Sequence, residues 1–509
     1  MKFNLPKEAQ NILKKFKKAN FQIFIVGGAV RDLLLEKEVT DWDFTTDAKP
    51  EEILKLFPKG FYDNKFGTVG VPVSAGPAAS VSQVRPRSLR SSAVDARDLS
   101  SASPALPGYQ IYEITTMRKE GDYKDHRHPT DVAWTNKIEE DLARRDFTIN
   151  AIALSSTHVI AKSDENRTEA ISKQEKDRHV ATAPRDDGWV LTDPFNGQAD
   201  LKSKLIRAVG NPSKRFQEDA LRLIRAVRFA SELEFEIDQK TFQAIKQNAS
   251  LIKDVANERI RDELFKILAS MNPYIGTIKL REAGILQIFL PELEKCFGIV
   301  QQGPKHDRVY DIGDHSLRTM RETPSSNPLV KFAALLHDIG KAPTFKKDAK
   351  GNVTFYNHEV VGAKLALKIA KRLNLSKKDA DKLYRLIRWH MFTTDEKQTD
   401  SAIRRFIKNV GKENIEDMLA LRIGDRLGGD TSKPVSWRME KFQERIKQVL
   451  QKPFSITDLK VNGNDVMQVL NIPPGKKVGE ILQKLFEEVL DDSLKNKREY
   501  LLDRIKKLA

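Results

Sequence analysis

Two aspartates set one residue apart, Asp41 and Asp43, offer the first chemistry in this chain. They alternate along Asp41-Trp42-Asp43-Phe44, a segment with strand character, so both carboxylates face the same side. Two like charges about 7 Å apart on one face repel unless a cation bridges them. A Mg²⁺ pair held there activates an attacking hydroxyl and stabilises a leaving pyrophosphate. Just upstream, Gly27 and Gly28 separate a strand-like run, Phe21–Val26, from a helical one, Ala29–Leu35. Without side chains in the way, the backbone there can approach a phosphate, and the helix start presents free N–H groups to it.

Two further constellations stand out. At about 100° per residue, Glu218, Asp219, Arg222 and Arg225 share one sector, roughly 120° wide, of a helix expected over 216–231. On spacing alone this is an ordinary solvated face laced with ion pairs. Farther on, His315, His337-Asp338, His358, His390 and Asp425 are spread over helical segments at 329–340, 358–373 and 379–392 and their flanks. Adjacent His and Asp at the end of the apolar run Phe332–Leu336 are costly to bury unpaired. Imidazole with carboxylate suits a divalent transition metal, and six candidate ligands admit one ion or two. Taken singly, each histidine is an ordinary residue; the ordered set is the signal.

These groups need a scaffold, and the composition supplies one. The 509 residues are enough for about three or four domains, more than a single binding module. With 40% hydrophobic and 31% charged residues the chain is neither a fibre nor wholly disordered. Lysine and arginine number 87 against 71 acidic residues, and a net charge of +16 attracts a polyanion such as nucleic acid. The lone Cys296 forms no internal disulfide and suits a reducing, cytoplasmic compartment. No run approaches eighteen apolar residues, so no membrane partner is expected, and no obligate protein partner is evident. Lysine-rich residues 4–20 read as a helix leading into the buried strand at 21–26 rather than a signal segment. From about 205 the pattern turns almost wholly helical, with a further segment at 257–269. Residues 74–108 contain no lysine, are rich in Ser, Ala, Arg and Pro, and read as a disordered insertion; 161–187 reads as a shorter surface excursion.

Several motifs together resemble a known family. Gly27-Gly28-Ala29-Val30-Arg31-Asp32 with Asp41-Trp42-Asp43, then Arg144-Arg145-Asp146-Phe147-Thr148-Ile149-Asn150, are similar to class II tRNA nucleotidyltransferases (CCA-adding enzymes) and bacterial poly(A) polymerases. Asp193–Gly197, Glu218–Phe229 and Glu258–Arg261 continue the likeness. The resemblance implies that Asp41 and Asp43 hold the catalytic Mg²⁺. It places Gly27, Gly28, Arg31, Arg144, Arg145, Asp146, Asn150, Asp219, Arg222, Arg225 and Arg228 at the nucleotide. Asp219 and Arg222 would read the base: the carboxylate accepts from the exocyclic amine of C or A while the guanidinium donates to the neighbouring acceptor. G and U present a carbonyl there and leave the carboxylate unpaired. Residues 112–129 resemble the family's flexible loop, and the histidine set resembles an HD phosphohydrolase domain. Residues 458–482 resemble the tail of HD-containing CCA-adding enzymes, with Lys476 and Lys477 as RNA contacts.

The expected architecture is α+β. A small nucleotidyltransferase α/β head of polymerase-beta-like fold occupies 1–210, a helical base-recognition neck 211–300, an HD domain 301–430 and a helical tRNA-binding tail 431–509. The implied activity is template-independent addition or repair of the tRNA 3′-CCA from CTP and ATP. An HD activity on RNA-end phosphates would come in addition. Poly(A) or A-only addition is the alternative within the same chemistry. An HD phosphohydrolase with a vestigial head, or a non-catalytic RNA-binding protein, are alternatives of other classes.

Overall fold

A computed structural model describes residues 5–64, 67–74, 109–121, 132–156, 188–302, 309–347, 353–429, 433–450 and 456–508, with residues 3 and 349. The chain divides into two compact units, Met1–Phe289 and Leu290–Ala509. Among the described residues, no helix is long and apolar enough to cross a membrane.

The first unit is built on a seven-stranded mixed sheet. In chain order the strands are β1 (Ile23–Val26), β2 (Asp43–Thr46), β3 (Phe61–Asn64), β4 (Thr68–Ser74) and β5 (Tyr109–Thr116). A side hairpin follows, β6 (Arg118–Glu120) with β7 (Val132–Trp134), and then β8 (Ala153–Ser156) and β9 (Trp189–Thr192). The sheet order is β3-β4-β5-β2-β1-β8-β9, with β2 and β5 parallel and the other neighbours antiparallel. All four residues of β1 are buried, which explains its unbroken Ile-Phe-Ile-Val run. Phe24 and Val26 share a core cluster with Met117, Ile138, Leu142, Ala151, Ala153 and Val209, so the strand and the Arg144–Asn150 turn rest on the same apolar floor.

Both odd stretches leave the sheet between paired strand ends. Ser74 pairs with Tyr109, so the insertion expected from 74 begins one residue later, and Ser156 pairs with Trp189. Residues 75–108 and 161–187 lie outside the described residues, as do 122–129 of the expected flexible loop. The start of that loop, Tyr112–Glu120, is strand apart from Met117.

Other expectations are corrected. Asp41 lies just ahead of β2 rather than within it. The single helix expected over 216–231 is two, Pro212–Glu218 and Leu221–Leu233, broken at Asp219 with φ −139° and ψ 103°. The Asp219 carboxylate accepts the Leu221 N–H, and this local competition with the helix ladder is what an aspartate offers in mid-helix. The body is mostly but not wholly helical, with two-residue or three-residue strands at Leu205–Ile206, Glu236–Ile237, Val300–Gln302, Val309–Asp311, Lys346–Lys347 and Val353–Thr354.

The second unit is helical apart from its short hairpins. Its helices Ile312–Glu322, Pro328–Leu336, His358–Arg372, Lys377–Arg388 and Ile415–Gly428 carry or flank the histidine set. The helix expected over 329–340 ends at Leu336, and that over 379–392 ends at Arg388, leaving His390 beyond it. Two glycines let helices close in. A Cβ on Gly424 would lie 2.1 Å from Thr323 Oγ1 and 2.6 Å from the Thr319 carbonyl, and one on Gly340 would lie 1.9 Å from the His358 carbonyl. The tail helices Gly463–Leu470, Lys476–Asp491 and Arg498–Leu508 enclose a small core of Val466, Val478, Ile481, Leu485, Phe486, Val489, Leu501 and Ile505.

Gly424→Ala should therefore force apart the helices that bear His315 and Asp425. We expect a loss of about 1–3 kcal/mol, read by thermal or denaturant unfolding; an unchanged midpoint would refute close packing at this crossing.

Candidate active site and metal centre

In the first unit the glycine turn meets the aspartates. Gly27 has φ +71°, a backbone state that suits glycine, and a Cβ there would lie 3.0 Å from an Arg145 guanidinium nitrogen and 3.4 Å from Asp43 Oδ2. Bare backbone, a carboxylate and a cation thus converge at the C-terminal end of β1. Asp41 is exposed, Asp43 is half-buried, and the intervening Trp42 is buried, which gives the alternation expected of them. Asp43 also pairs across the parallel β2–β5 ladder with Glu113, which places a second carboxylate beside it on the same face at the usual strand spacing of about 4.8 Å. Sequence reasoning missed Glu113, although its place between buried Tyr112 and Ile114 marked it as facing the aspartate side.

The arginines are held rather than loose. Arg144 makes two bonds to Asp141 Oδ1, at 2.9 and 2.7 Å, and Arg145 reaches Asp141 Oδ2 at 3.4 Å. Asp141 is fully buried; burial opposes its charge, yet the two guanidiniums hold its carboxyl below the usual range. Its spacing three and four residues ahead of the arginines was the signal available in sequence.

A second chain of bonds begins at Arg31, which forks onto Asp32 at 2.8 and 2.9 Å and donates to Asn150 Oδ1 at 3.1 Å. Asn150 donates to Asp146 Oδ1, which also accepts the Phe147 N–H. Asp146 Oδ2 takes Arg225 through Nε at 2.9 Å and through a second, shorter contact. Arg31, Arg225 and Arg228 lie over the Phe229 ring at 5.3, 5.3 and 4.1 Å from its centroid.

The described bonds of Asp146 go to Phe147, Asn150 and Arg225. Arg228 is 3% exposed and paired with Glu263 at 3.0 Å. At the helix break Asp219 accepts from Arg259 at 3.3 Å, and Arg222 is held by Glu218 at 2.8 Å and by the carbonyls of Arg215 and Arg144. The break brings Asp219 and Arg222 together differently from one helical face, but keeps them in one cluster with Arg144.

In the second unit, the side chains expected to ligate a metal do meet. His337 Nε2 lies 3.1 Å from Asp338 Oδ2 and 3.6 Å from Asp425 Oδ1; His315 Nε2 lies 3.7 and 3.1 Å from the same two atoms. His358 and His390 approach Asp338 Oδ1 at 3.4 and 3.7 Å. His337, His358 and His390 each donate Nδ1–H to a backbone carbonyl, of Ala334, Phe355 and Ile387, at 2.8, 2.9 and 2.7 Å. Burial disfavours a charged His337, but the Asp338 and Asp425 carboxylates push its imidazole up to about 10, and both carboxyls are held well below their ordinary range. Lys341, buried beside them, bonds Asp338 Oδ2 at 2.6 Å and the Gln301 side chain at 2.7 Å. Lys341, Gln301 and Tyr310, whose ring lies 4.8 Å from that of His315, complete the surroundings and were not singled out from sequence. Lys476 and Lys477, at the first turn of their helix, stand exposed.

A sheet with a glycine turn against paired carboxylates and an arginine-rich helix beside it is the layout of a nucleotidyltransferase head. Residues 23–105 and 104–207 match the poly(A) polymerase head domain family, and 234–297 match a family described as "Probable RNA and SrmB- binding site of polymerase A". Residues 355–505 match tRNA nucleotidyltransferase domain 2, across the boundary expected at 430. A CCA-adding enzyme of Ligilactobacillus salivarius is 31% identical over 511 residues, covering 99% of this chain and 98% of that one. An A-adding tRNA nucleotidyltransferase of Deinococcus radiodurans is 33% identical over 69% of this chain and 75% of its own. The crystal structure of the Bacillus stearothermophilus CCA-adding enzyme in complex with CTP shares the fold, with TM-score 0.62 at 24% identity over 98% and 96% of the two chains. The chain belongs to the nucleotidyltransferase family of CCA-adding enzymes and poly(A) polymerases, and it is an enzyme of that family.

The Asp146 bonds carry a stability consequence. Burial would raise this carboxyl, but Arg225 holds it well below the ordinary value. A depressed folded pKa contributes fully above the unfolded value of about 4 and fades as the pH falls through the folded one. Asp146→Asn should lower stability by about 3 kcal/mol at neutral pH and flatten the acid limb of the stability curve; denaturant titrations at pH 7 and pH 3 check both.

Proposed function

We propose that this chain builds or repairs the 3′-terminal CCA of tRNA from CTP and ATP. The observation that carries this reading is the convergence of Gly27, Asp43 and Arg145 at one end of β1, with Glu113 paired beside Asp43 in the sheet and Asp41 exposed two residues ahead of the strand. Oxygen-only donors of this kind fit Mg²⁺, with Asp41 and Asp43 as its ligands. A divalent ion bound there supplies charge neutralisation for the attacking tRNA 3′-hydroxyl and the departing pyrophosphate.

The rest is done by protein groups. The backbone at Gly27 and Gly28 receives the phosphates, with Arg31 and Arg145 as fixed cations whose counter-carboxylates set their directions. Asp219 accepts from the amine of C or A and Arg222 donates to the adjacent acceptor; Glu218 fixes that guanidinium. Arg259, bonded to Asp219 at 3.3 Å, fixes the direction of that carboxylate. Exposed Lys476 and Lys477, on a chain of net charge +16, serve as RNA phosphate contacts.

A second reading concerns the other unit. The Nδ1 bonds of three histidines leave their Nε2 atoms turned toward Asp338, an arrangement that suits a divalent transition metal. We assign this cluster as the metal centre of an HD-type hydrolase acting on phosphates at RNA ends. It is tested with an RNA bearing a 2′,3′-cyclic phosphate: hydrolysis by the wild type, lost in His337→Ala, supports it.

The decisive assay for the main reading uses a tRNA transcript lacking its last three nucleotides, with CTP, ATP or both. Two additions with CTP and three with both are expected. A single A added only to a transcript ending in CC would mean A-addition, a long ladder with ATP would mean poly(A) synthesis, and RNA binding without extension would sink the transferase reading. Asp43→Asn should lose several kcal/mol of transition-state stabilisation, about a thousandfold in rate, while retaining salt-dependent tRNA binding.

A further inference from the structure

Base reading by Arg222 requires that its guanidinium be held at a fixed angle, and the following rests on that assignment. We propose that Asp141 is a positioning residue for base choice, acting on Arg222 through the backbone of Ala143 and Arg144.

Arg222 is 8% exposed, and its bonds come from two sides. Glu218 Oε2 at 2.8 Å and the Arg215 carbonyl at 3.1 Å hold Nη1 from the preceding helix, Pro212–Glu218. Nη2 donates at 2.9 Å to the carbonyl of Arg144, 78 positions away in the chain. Arg215 makes the matching bond, from Nη1 to the Ala143 carbonyl at 2.9 Å, while its Nη2 pairs with Glu218. Two consecutive carbonyls thus seat two arginines from either side of the helix break. These carbonyls stand at the end of the short helix Ile138–Ala143, where the last carbonyls have no partner within the helix.

Their direction depends on how the chain leaves that helix, and Asp141 fixes the exit. Arg144 folds back onto Asp141 Oδ1 through Nε and Nη2 at 2.9 and 2.7 Å, and Arg145 reaches Oδ2 at 3.4 Å. The backbone N–H of Arg118, at the start of β6, donates to Oδ1 at 3.3 Å. Asp141 is 0% exposed, so water does not replace a lost partner. Both residues that follow the helix are therefore tied by their side chains to a residue inside it. One buried carboxylate sets the phosphate-side Arg145 and the base-side Arg222 in register on a single short element.

That register matters for choice more than for binding. A fixed Arg222 donates to the ring-nitrogen acceptor of C or A, whereas U and G carry an N–H at that position, donor against donor. The penalty lasts only while the guanidinium cannot turn aside. An Arg222 whose seat has shifted still meets C but no longer rejects U.

The test is nucleotide choice by the full chain on a tRNA transcript lacking its last three nucleotides, measured as kcat/KM for CTP against UTP. Asp141→Asn keeps the shape and removes the charge that holds both guanidiniums; the preference for CTP should fall about tenfold. Arg144→Met keeps the carbonyl but releases the turn, and should lower the same ratio. The double variant should lower it no further than Asp141→Asn alone, because both act through one link. Asp200→Asn removes another buried carboxylate of this unit, bonded to Thr148 and Arg207, and should lower the melting temperature without moving the ratio. Circular dichroism confirms folding; if Asp141→Asn does not fold, Arg144→Met carries the test by itself. Slower addition of both nucleotides at an unchanged ratio would overturn the proposal. So would an Arg144→Met whose KM rises equally for CTP and UTP, which would make that side chain a plain nucleotide contact. A wild type that extends the transcript with neither nucleotide would overturn the transferase reading itself.

Discussion

The carboxylate of Asp146 sits where three pieces of the first unit meet, and its bonds decide how they are joined. One oxygen accepts from Phe147 and Asn150, the other from Arg225, and Asn150 in turn accepts from Arg31. A closed path therefore runs from the helix after the glycine turn, through the Arg144–Asn150 turn, to the helix Leu221–Leu233. It closes over the Phe229 ring, on which both end arginines rest. In a buried, low-dielectric setting such a network is valuable only when every member is satisfied. It fixes two cations, Arg31 and Arg225, on rigid elements.

The second unit solves a similar problem with backbone proximity instead of a salt-bridged path. His315 and Asp425 come from helices that touch through Gly424 and Gly428, while Gly340 lets the turn after His337-Asp338 settle against the backbone of His358. Glycine contributes space rather than chemistry here. Its cost in chain entropy is offset by the precision with which ligands from five separate segments meet.

Much of the site was legible in sequence because its signals were local. The glycine turn, the alternating aspartates and the His-Asp pair each carry their meaning within a few residues, and the structure brings each set together. What escaped had a longer reach or depended on competition. The break at Asp219 was hidden because 216–231 has a good helical period; the side chain capturing the Leu221 N–H defeats that period. Glu113 was in view but its partner lies seventy positions upstream in the chain, across a parallel pairing that no local pattern shows. Lys341 and Asp141 were overlooked for a simpler reason: charged residues near a helix end are common, and only burial distinguishes these two.

The strand pairs that flank the two unusual stretches have an evolutionary consequence. Ser74 is matched with Tyr109 and Ser156 with Trp189, so sheet register is fixed on the near side of each excursion, whatever lies between. Lengthening a connection whose ends are already pinned adds only about 0.6 kcal/mol per doubling. These two points are thus graft sites in the head, where lineages can accumulate sequence and where an affinity tag or reporter domain can be spliced without disturbing the ladder beneath.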